Sequence, residues 1–154
     1  MFSYMGAGQR IVLTLWVGGL WSVGYMVAPM LFHTLDDRRL AGAIAGEMFS
    51  VLNYIGLVCG TLLLVSVIAG AARPWLRIWQ IWVLAAMLLL TGIGEFILQP
   101  MMQALKAAAP QGFTPDSTAA ARFGMLHGVS STLFLATSLL GLVLVIFGLK
   151  TSKE

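Results

Sequence analysis

Long stretches without a charged side chain dominate this sequence and limit what it can fold into. Ile11–Phe32 is 22 residues long and contains no charge, and Met48–Ala72 is a second such stretch. About 20 apolar residues are enough for an α-helix to cross the ~30 Å hydrocarbon core of a bilayer. Two further apolar stretches follow. We therefore predict four membrane-spanning helices, over approximately residues 11–32, 44–70, 78–99 and 123–149.

The composition indicates that lipid is the natural solvent of this chain. Hydrophobic residues make up 59% of the 154 residues and charged residues only 10%. A soluble domain of this size has too little interior to hide so much apolar surface. Nine Lys and Arg residues are scattered along the chain, which argues against nucleic acid as a partner because phosphates need a basic face. The expected partners are the lipid bilayer and either further copies of the chain or another membrane protein.

The four apolar stretches predict an all-α fold, an integral membrane four-helix bundle with up-down-up-down order and a single domain over residues 1–154. We expect Thr34 to cap the second helix and Thr114-Pro115-Asp116 to begin the fourth, so that both helices extend beyond the bilayer on one side. Pro100 is expected to end the third helix. Both chain termini then lie on one side, which carries five Lys and Arg residues against four on the other and is therefore predicted to be cytoplasmic.

Glycine recurs on one face of the second predicted helix. Four glycines alternate with Phe49 and Asn53 at spacings of four and three residues: Gly42, Gly46, Gly56 and Gly60. Small residues on one face let membrane helices approach closely, since lipid removes the hydrophobic drive between them. We predict that this glycine seam packs against a neighbouring helix.

Polar side chains from three predicted helices fall near one membrane face, because helices one and three end where helices two and four begin. Glu47 and His127 each lie 13 residues beyond the predicted caps, which places them at a similar depth. A charged group in a bilayer costs ~3 kcal/mol or more, so it normally faces a partner or a cavity. We predict a ligand or proton pocket at this face, formed by Glu47, Asn53, Tyr54, Glu95, Gln99, His127 and Ser131.

Other interpretations of these residues stay open. The polar groups could lie at the membrane interface or pair only to fix helix register. His33 and His127 could instead bind copper or haem, since thioethers and imidazoles suit copper(I) and six methionines fall in the same half of the protein. A small-molecule or ion transporter is a further alternative, although the first span lacks the embedded Glu typical of small drug exporters. No cofactor is predicted, and no motif that would activate a nucleophile is present, so we expect no enzyme.

Three motifs resemble one known family. They are W-x-G-G-x-W-x-x-G-Y-x-V-A-P-x-L-F over Trp16–Phe32, A-G-x-I-A-G-x-x-F over Ala41–Phe49, and F-x-x-L-H-G-x-S over Phe123–Ser130. Together they resemble domain of unknown function 4149, a family that also covers relatives of eukaryotic transmembrane protein 205. The resemblance implies a four-span protein of the bacterial inner membrane and implies no reaction. The preferred hypothesis is a non-enzymatic membrane protein whose polar pocket binds a small ligand, an ion or a partner helix.

Overall fold

Four long helices joined by short connections make up the part of the chain that the structure describes. The computed structural model covers residues 4–71, 75–109, 112–114 and 117–149. Helix α1 is α-helical over Tyr4–Ser22, π-helical over Val23–Val27 and α-helical again over Ala28–Thr34, and helix α2 is Arg38–Gly70. After a 3-10 turn at Trp75–Arg77, helix α3 is α-helical over Trp79–Ile93, π-helical over Gly94–Leu98 and α-helical over Gln99–Ala108, and helix α4 is Thr118–Phe147.

All four helices are long and apolar enough to cross a membrane, as predicted. Consecutive helices pack against each other and α4 returns to pack on α1, which closes an up-down-up-down bundle. Between 22% and 33% of the most apolar window of each helix is buried inside the protein, so most apolar side chains face outward. Outward-facing apolar side chains are stable only in lipid, and the protein is therefore a multi-pass integral membrane protein.

Helix α2 begins later than we predicted. Thr34 is the last residue of α1, so it does not cap α2. The cap is Asp37, whose Oδ1 accepts hydrogen bonds from the backbone N–H groups of Arg39 at 2.8 Å and Leu40 at 3.2 Å. The chain first turns through an extended residue, Leu35, and only then can a second helix start in the opposite direction.

Helix α4 also begins three residues after the predicted cap. The hydroxyl of Ser117 accepts from the backbone N–H of Ala120 at 3.1 Å and donates to the carbonyl of Thr114 at 2.8 Å. Thr114 thus supports the cap residue without being the cap itself. Pro115 and Asp116 lie outside the described residues.

The prediction that Pro100 ends the third helix is wrong, because α3 continues to Ala108. In a regular α-helix the ring of Pro100 would clash with the carbonyl four residues earlier, at Phe96. Here Phe96 lies inside the π-helical turn, where the N–H of Gln99 bonds to the carbonyl of Gly94, five residues back. The wider turn accommodates the proline, and the helix proceeds.

The same combination of a π-helical segment and a proline occurs in α1. Its π-helical segment Val23–Val27 ends two residues before Pro29, as Gly94–Leu98 ends two residues before Pro100. Tyr25 lies within Val23–Val27. In a regular α-helix the ring of Pro29 would clash with the carbonyl of Tyr25. Each odd-numbered helix therefore carries one π-helical segment followed by a proline.

The inner half of the bundle, near the chain termini, is tightly packed around Trp16, which is only 1% exposed. Its indole lies directly against Gly56 and Gly60 of α2. A Cβ atom at Gly60 would lie 2.7 Å from both Cη2 of Trp16 and Cδ2 of Leu88. Here α1, α2 and α3 approach closely because these two glycines have no side chain.

The outer half of the bundle is divided into two helical hairpins. Ala28–Thr34, the end of α1, packs against α2, whereas Gln99–Ala108, the end of α3, packs against α4. The hairpin of α1 and α2 and the hairpin of α3 and α4 part at the level of the two π-helical segments. The space between them is the candidate site.

Candidate functional site

A cavity of about 980 Å³ lies between the two hairpins in the outer half of the bundle. This volume is at the upper end of the range for pockets that hold small ligands. Most of its wall is apolar and comes from all four helices. Its polar and basic lining residues are Tyr25, Arg38, Arg39, Ser50, Asn53, Thr91, Gln99, Lys106, His127, Ser130, Ser131 and Thr137.

The carboxylate of Glu95 lies beneath the floor of this cavity and is fully partnered. Its residue is 6% exposed, and it belongs to the π-helical segment of α3. The hydroxyl of Ser50 donates to Oε1, and the side-chain amide of Asn53 donates to Oε2 at 3.0 Å. Ser50 and Asn53 stand one helical turn apart on α2 and line the cavity themselves, so they separate the carboxylate from it.

A second polar contact joins the hairpins on the opposite side. The Tyr25 hydroxyl, in the π-helical segment of α1, lies 2.7 Å from the hydroxyl of the fully buried Ser138 on α4. Phe134 also lines the cavity, with its ring centre 5.8 Å from that of Tyr25 and 5.2 Å from that of Phe49. Gly24 leaves room for Phe134, because a Cβ atom there would overlap its ring.

Basic side chains lie around the outer end of the cavity. Lys106 of α3 reaches across to α2, where its ammonium group donates to the carbonyl of Gly42 at 3.4 Å. The same group lies 5.7 Å from the ring centre of Phe123 on α4. Arg38 and Arg39 enter from the first turn of α2.

The upper glycines of the predicted seam open onto the cavity instead of a tight helix contact. A Cβ atom at Gly42 would lie 3.7 Å from its nearest neighbour, Phe32, and one at Gly46 would lie 3.9 Å from the side chains of Gln99 and Lys106. Both distances are ordinary van der Waals contacts. The four seam glycines therefore divide into a packing pair below and a cavity-lining pair above.

His127 and Ser131 line the cavity from α4, and both are exposed. The imidazole stacks on Phe123 at an interplanar angle of 8°, with the ring centres 6.2 Å apart. The Ser131 hydroxyl donates to the backbone carbonyl of His127 at 2.9 Å, so its hydrogen is used within the helix. Gln99 lines the cavity from α3.

Two of the predicted pocket residues lie elsewhere. Glu47 is exposed on another face of α2, beside Val51 and Ile55, and it does not line the cavity. Tyr54 is 52% exposed and packs edge to face on Phe96 with ring centres 6.2 Å apart. Both caps shifted by three residues, so Glu47 and His127 still lie equally far along their helices. Equal depth did not place them on the same side, because the direction of a side chain depends on how its helix is rotated.

The structure does not bring the two histidines together as metal ligands. His127 lines the cavity, whereas His33 is exposed at the end of α1 and does not. Among the described residues there is no group of three or more His, Cys, Asp and Glu side chains arranged to hold a metal ion. Three of the methionines considered for copper point outward: Met26, Met30 and Met125 are 70%, 68% and 62% exposed.

The polar and basic cavity residues outside the predicted pocket set are Tyr25, Arg38, Arg39, Ser50, Thr91, Lys106, Ser130 and Thr137. The signal for Lys106 was present in the sequence. Glu95, Gln99, Met102 and Lys106 follow each other at spacings of four, three and four, which is one face of a continuous helix. Because we predicted that Pro100 ends the helix, we did not place Lys106 on that face.

These observations define a four-helix integral membrane protein with a cavity between two helical hairpins at one membrane face. The chain belongs to the family described as domain of unknown function DUF4149, whose profile matches residues 11–111. The match covers most of α1 and all of α2 and α3, and the motif over Phe123–Ser130 lies outside it. No curated protein and no solved structure matches the chain. The relation to transmembrane protein 205 stays a prediction.

Proposed function

We propose that this protein is a non-enzymatic membrane protein that binds a small amphiphilic molecule in the cavity between its two hairpins. The observation that carries the proposal is the cavity itself, about 980 Å³ in volume, with mostly apolar walls and polar groups at its floor and outer end. Ligand pockets in proteins share this composition, since apolar walls supply affinity and a few polar groups fix orientation.

The chemistry of the cavity favours binding over catalysis. A serine nucleophile needs a base within hydrogen-bonding reach of its hydroxyl. The Ser131 hydroxyl, one helical turn from His127, donates instead to the His127 backbone carbonyl, and the imidazole stacks on Phe123. The carboxylate of Glu95 is held by Ser50 and Asn53 beneath the cavity floor. These partners support a structural role for Glu95 in holding α3 against α2.

Filling the cavity tests this proposal. Replacing Gly46, which lines the cavity, by leucine is expected to place an isobutyl group in the binding space and to abolish ligand retention. Gly128→Leu is the matched control, because Gly128 is an exposed helical glycine with no atom within 4 Å of its Cβ position and it does not line the cavity. Native mass spectrometry of detergent-purified protein, mixed with phospholipids, counts the molecules retained.

Retention by the wild type and by Gly128→Leu, together with loss in Gly46→Leu, would support the proposal. Equal retention by all three proteins would mean that lipids bind only to the outer surface and would overturn it. Circular dichroism of each variant checks that helical content is unchanged.

We also propose that the protein lies in the plasma membrane, the inner membrane in bacteria, with both termini in the cytoplasm. The support is the small excess of Lys and Arg on the side of the termini, five against four. The cavity then opens toward the non-cytoplasmic side.

A further inference from the structure

Basic residues are concentrated at the outer end of the cavity, where the binding of an apolar group does not require them. Arg38, Arg39 and Lys106 line the cavity there, together with the imidazole of His127. Among the described lining residues none is acidic. The wall of the cavity thus changes from uncharged at its floor to positively charged at its outer end.

Three carboxylates in the described residues of the two hairpins do not line the cavity. Asp37 caps α2, Glu95 accepts from two neutral side chains below the floor, and Glu47 lies on another face of α2. Within the described part of the chain, the ammonium group of Lys106 contacts two uncharged groups, the Gly42 carbonyl and the Phe123 ring. Its positive charge is therefore not neutralised by these contacts.

We propose that the cavity binds an amphiphile with an anionic headgroup, such as an acidic phospholipid, with the headgroup between Arg38 and Lys106 and the hydrocarbon chain along the apolar wall. This inference rests on the proposed function and adds the chemical class of the ligand. A guanidinium group binds phosphate with two parallel hydrogen bonds, and a lysine ammonium group adds a point charge. The two side chains come from the start of α2 and the end of α3, so a headgroup between them would bridge the two hairpins.

A competition between two lipids tests the headgroup requirement. Purified wild-type protein is mixed with equal amounts of phosphatidylglycerol and phosphatidylcholine with matched acyl chains, and native mass spectrometry measures the ratio retained. We expect phosphatidylglycerol to be preferred. Each Lys or Arg near an anionic lipid contributes about fivefold in affinity. The double variant R38Q/K106Q should therefore reduce the preference by roughly 25-fold.

Two further double variants make this measurement specific. R77Q/R122Q removes the same number of charges from exposed residues that do not line the cavity, and the preference should stay within about twofold of the wild-type value. R38K/K106R keeps both charges and should retain the preference, which also separates a loss of charge from a loss of folding if R38Q/K106Q is unstable.

The outcomes distinguish this inference from the proposed function. Equal retention of both lipids, lost in Gly46→Leu, would overturn the anionic headgroup and leave the amphiphile site standing. An equal effect of R38Q/K106Q and R77Q/R122Q would attribute the preference to overall charge and overturn the inference. Loss of bound phosphatidylglycerol on adding millimolar inorganic phosphate would assign the site to small anions instead. If neither lipid is retained, both proposals fail.

Discussion

At the scale of single residues, glycines in α2 have two different tasks. Gly56 and Gly60 face the buried indole of Trp16, whereas Gly42 and Gly46 face the cavity. In the sequence all four belong to one pattern with one spacing. They differ only in what the neighbouring helix places opposite them.

We expect Gly56→Ala to destabilise the protein, because the added methyl group would overlap the indole of Trp16, which is buried and cannot move aside. Overpacking of this kind costs about 1–3 kcal/mol. Gly42→Ala is the control, since its methyl group would find its nearest neighbour at 3.7 Å, and the effect should be within about 0.5 kcal/mol. Unfolding in mixed detergent and denaturant, followed by circular dichroism, measures both. Equal stability of the two variants would contradict the assigned packing.

The hydrogen bond between Asn53 and Glu95 can be measured by a double-mutant cycle. Asn53→Leu and Glu95→Met are made singly and together, and the coupling in the free energy of unfolding is compared. We expect about 1 kcal/mol, the scale found for hydrogen bonds between membrane helices. The pair Asn53→Leu and Gln103→Leu is the control, because Gln103 is exposed on α3 and should show no coupling. A coupling near zero for Asn53 and Glu95 would mean that the bond contributes nothing to stability.

At the scale of elements, the π-helical segments explain how α1 and α3 continue past proline. Each segment also carries a side chain that reaches across to the other hairpin. Tyr25 of α1 contacts Ser138 of α4, and Glu95 of α3 accepts from Ser50 and Asn53 of α2. The two π-helical segments therefore supply the polar contacts that join the two hairpins next to the cavity.

A π-helical turn contains one residue more than the α-helix needs, so α3 should tolerate a deletion there better than elsewhere. Deleting Phe96, which is 59% exposed, removes that extra residue, so Glu95 on one side and Gln99–Ala108 on the other keep nearly their present orientations. Deleting Leu89, which is 65% exposed in the regular part of α3, rotates Glu95 away from its partners. That places a carboxylate without partners at membrane depth, which costs about 3 kcal/mol.

We therefore expect the deletion of Phe96 to keep the protein folded and the deletion of Leu89 to destabilise it by about 3 kcal/mol more. Thermal unfolding followed by circular dichroism compares them. Deleting Phe96 should also leave Lys106 at the cavity and preserve any preference for an acidic lipid. If the two deletions are equally damaging, the segment does not act as a removable insertion.

At the scale of the whole molecule, the helices pack tightly at one end of the bundle and are divided into two hairpins at the other. Trp16 and the glycines of α2 join the helices in the inner half, and the cavity separates the two hairpins in the outer half. Lys106 reaches across this division to the carbonyl of Gly42. A ligand in the cavity would contact both hairpins at once.

Four described helices place the start of α1 and the end of α4 on one side of the membrane, and we expect that side to be the cytoplasm. Green fluorescent protein fused to either terminus should fluoresce, and alkaline phosphatase inserted in the connection near Gly112 should be active. The reciprocal fusions are the controls. The reverse pattern would move the cavity to the cytoplasmic side, and opposite results for the two termini would contradict the four-helix fold.

The sequence by itself determined the class, the number and the approximate position of the helices, because the cost of placing charges and unpaired backbone groups in lipid is local and can be counted along the chain. It also indicated Asn53, Glu95, Gln99, His127 and Ser131 as polar groups near one membrane face. Only the tertiary structure decided which polar groups share a cavity. That depends on the rotation of each helix about its axis, which turns Glu47 and Tyr54 outward, and on one wide turn in α3, which carries Lys106 past Pro100 to the cavity. Helix rotation depends on contacts such as that of Trp16 with glycines far away in the chain. A local sequence pattern does not show which distant residues will be in contact.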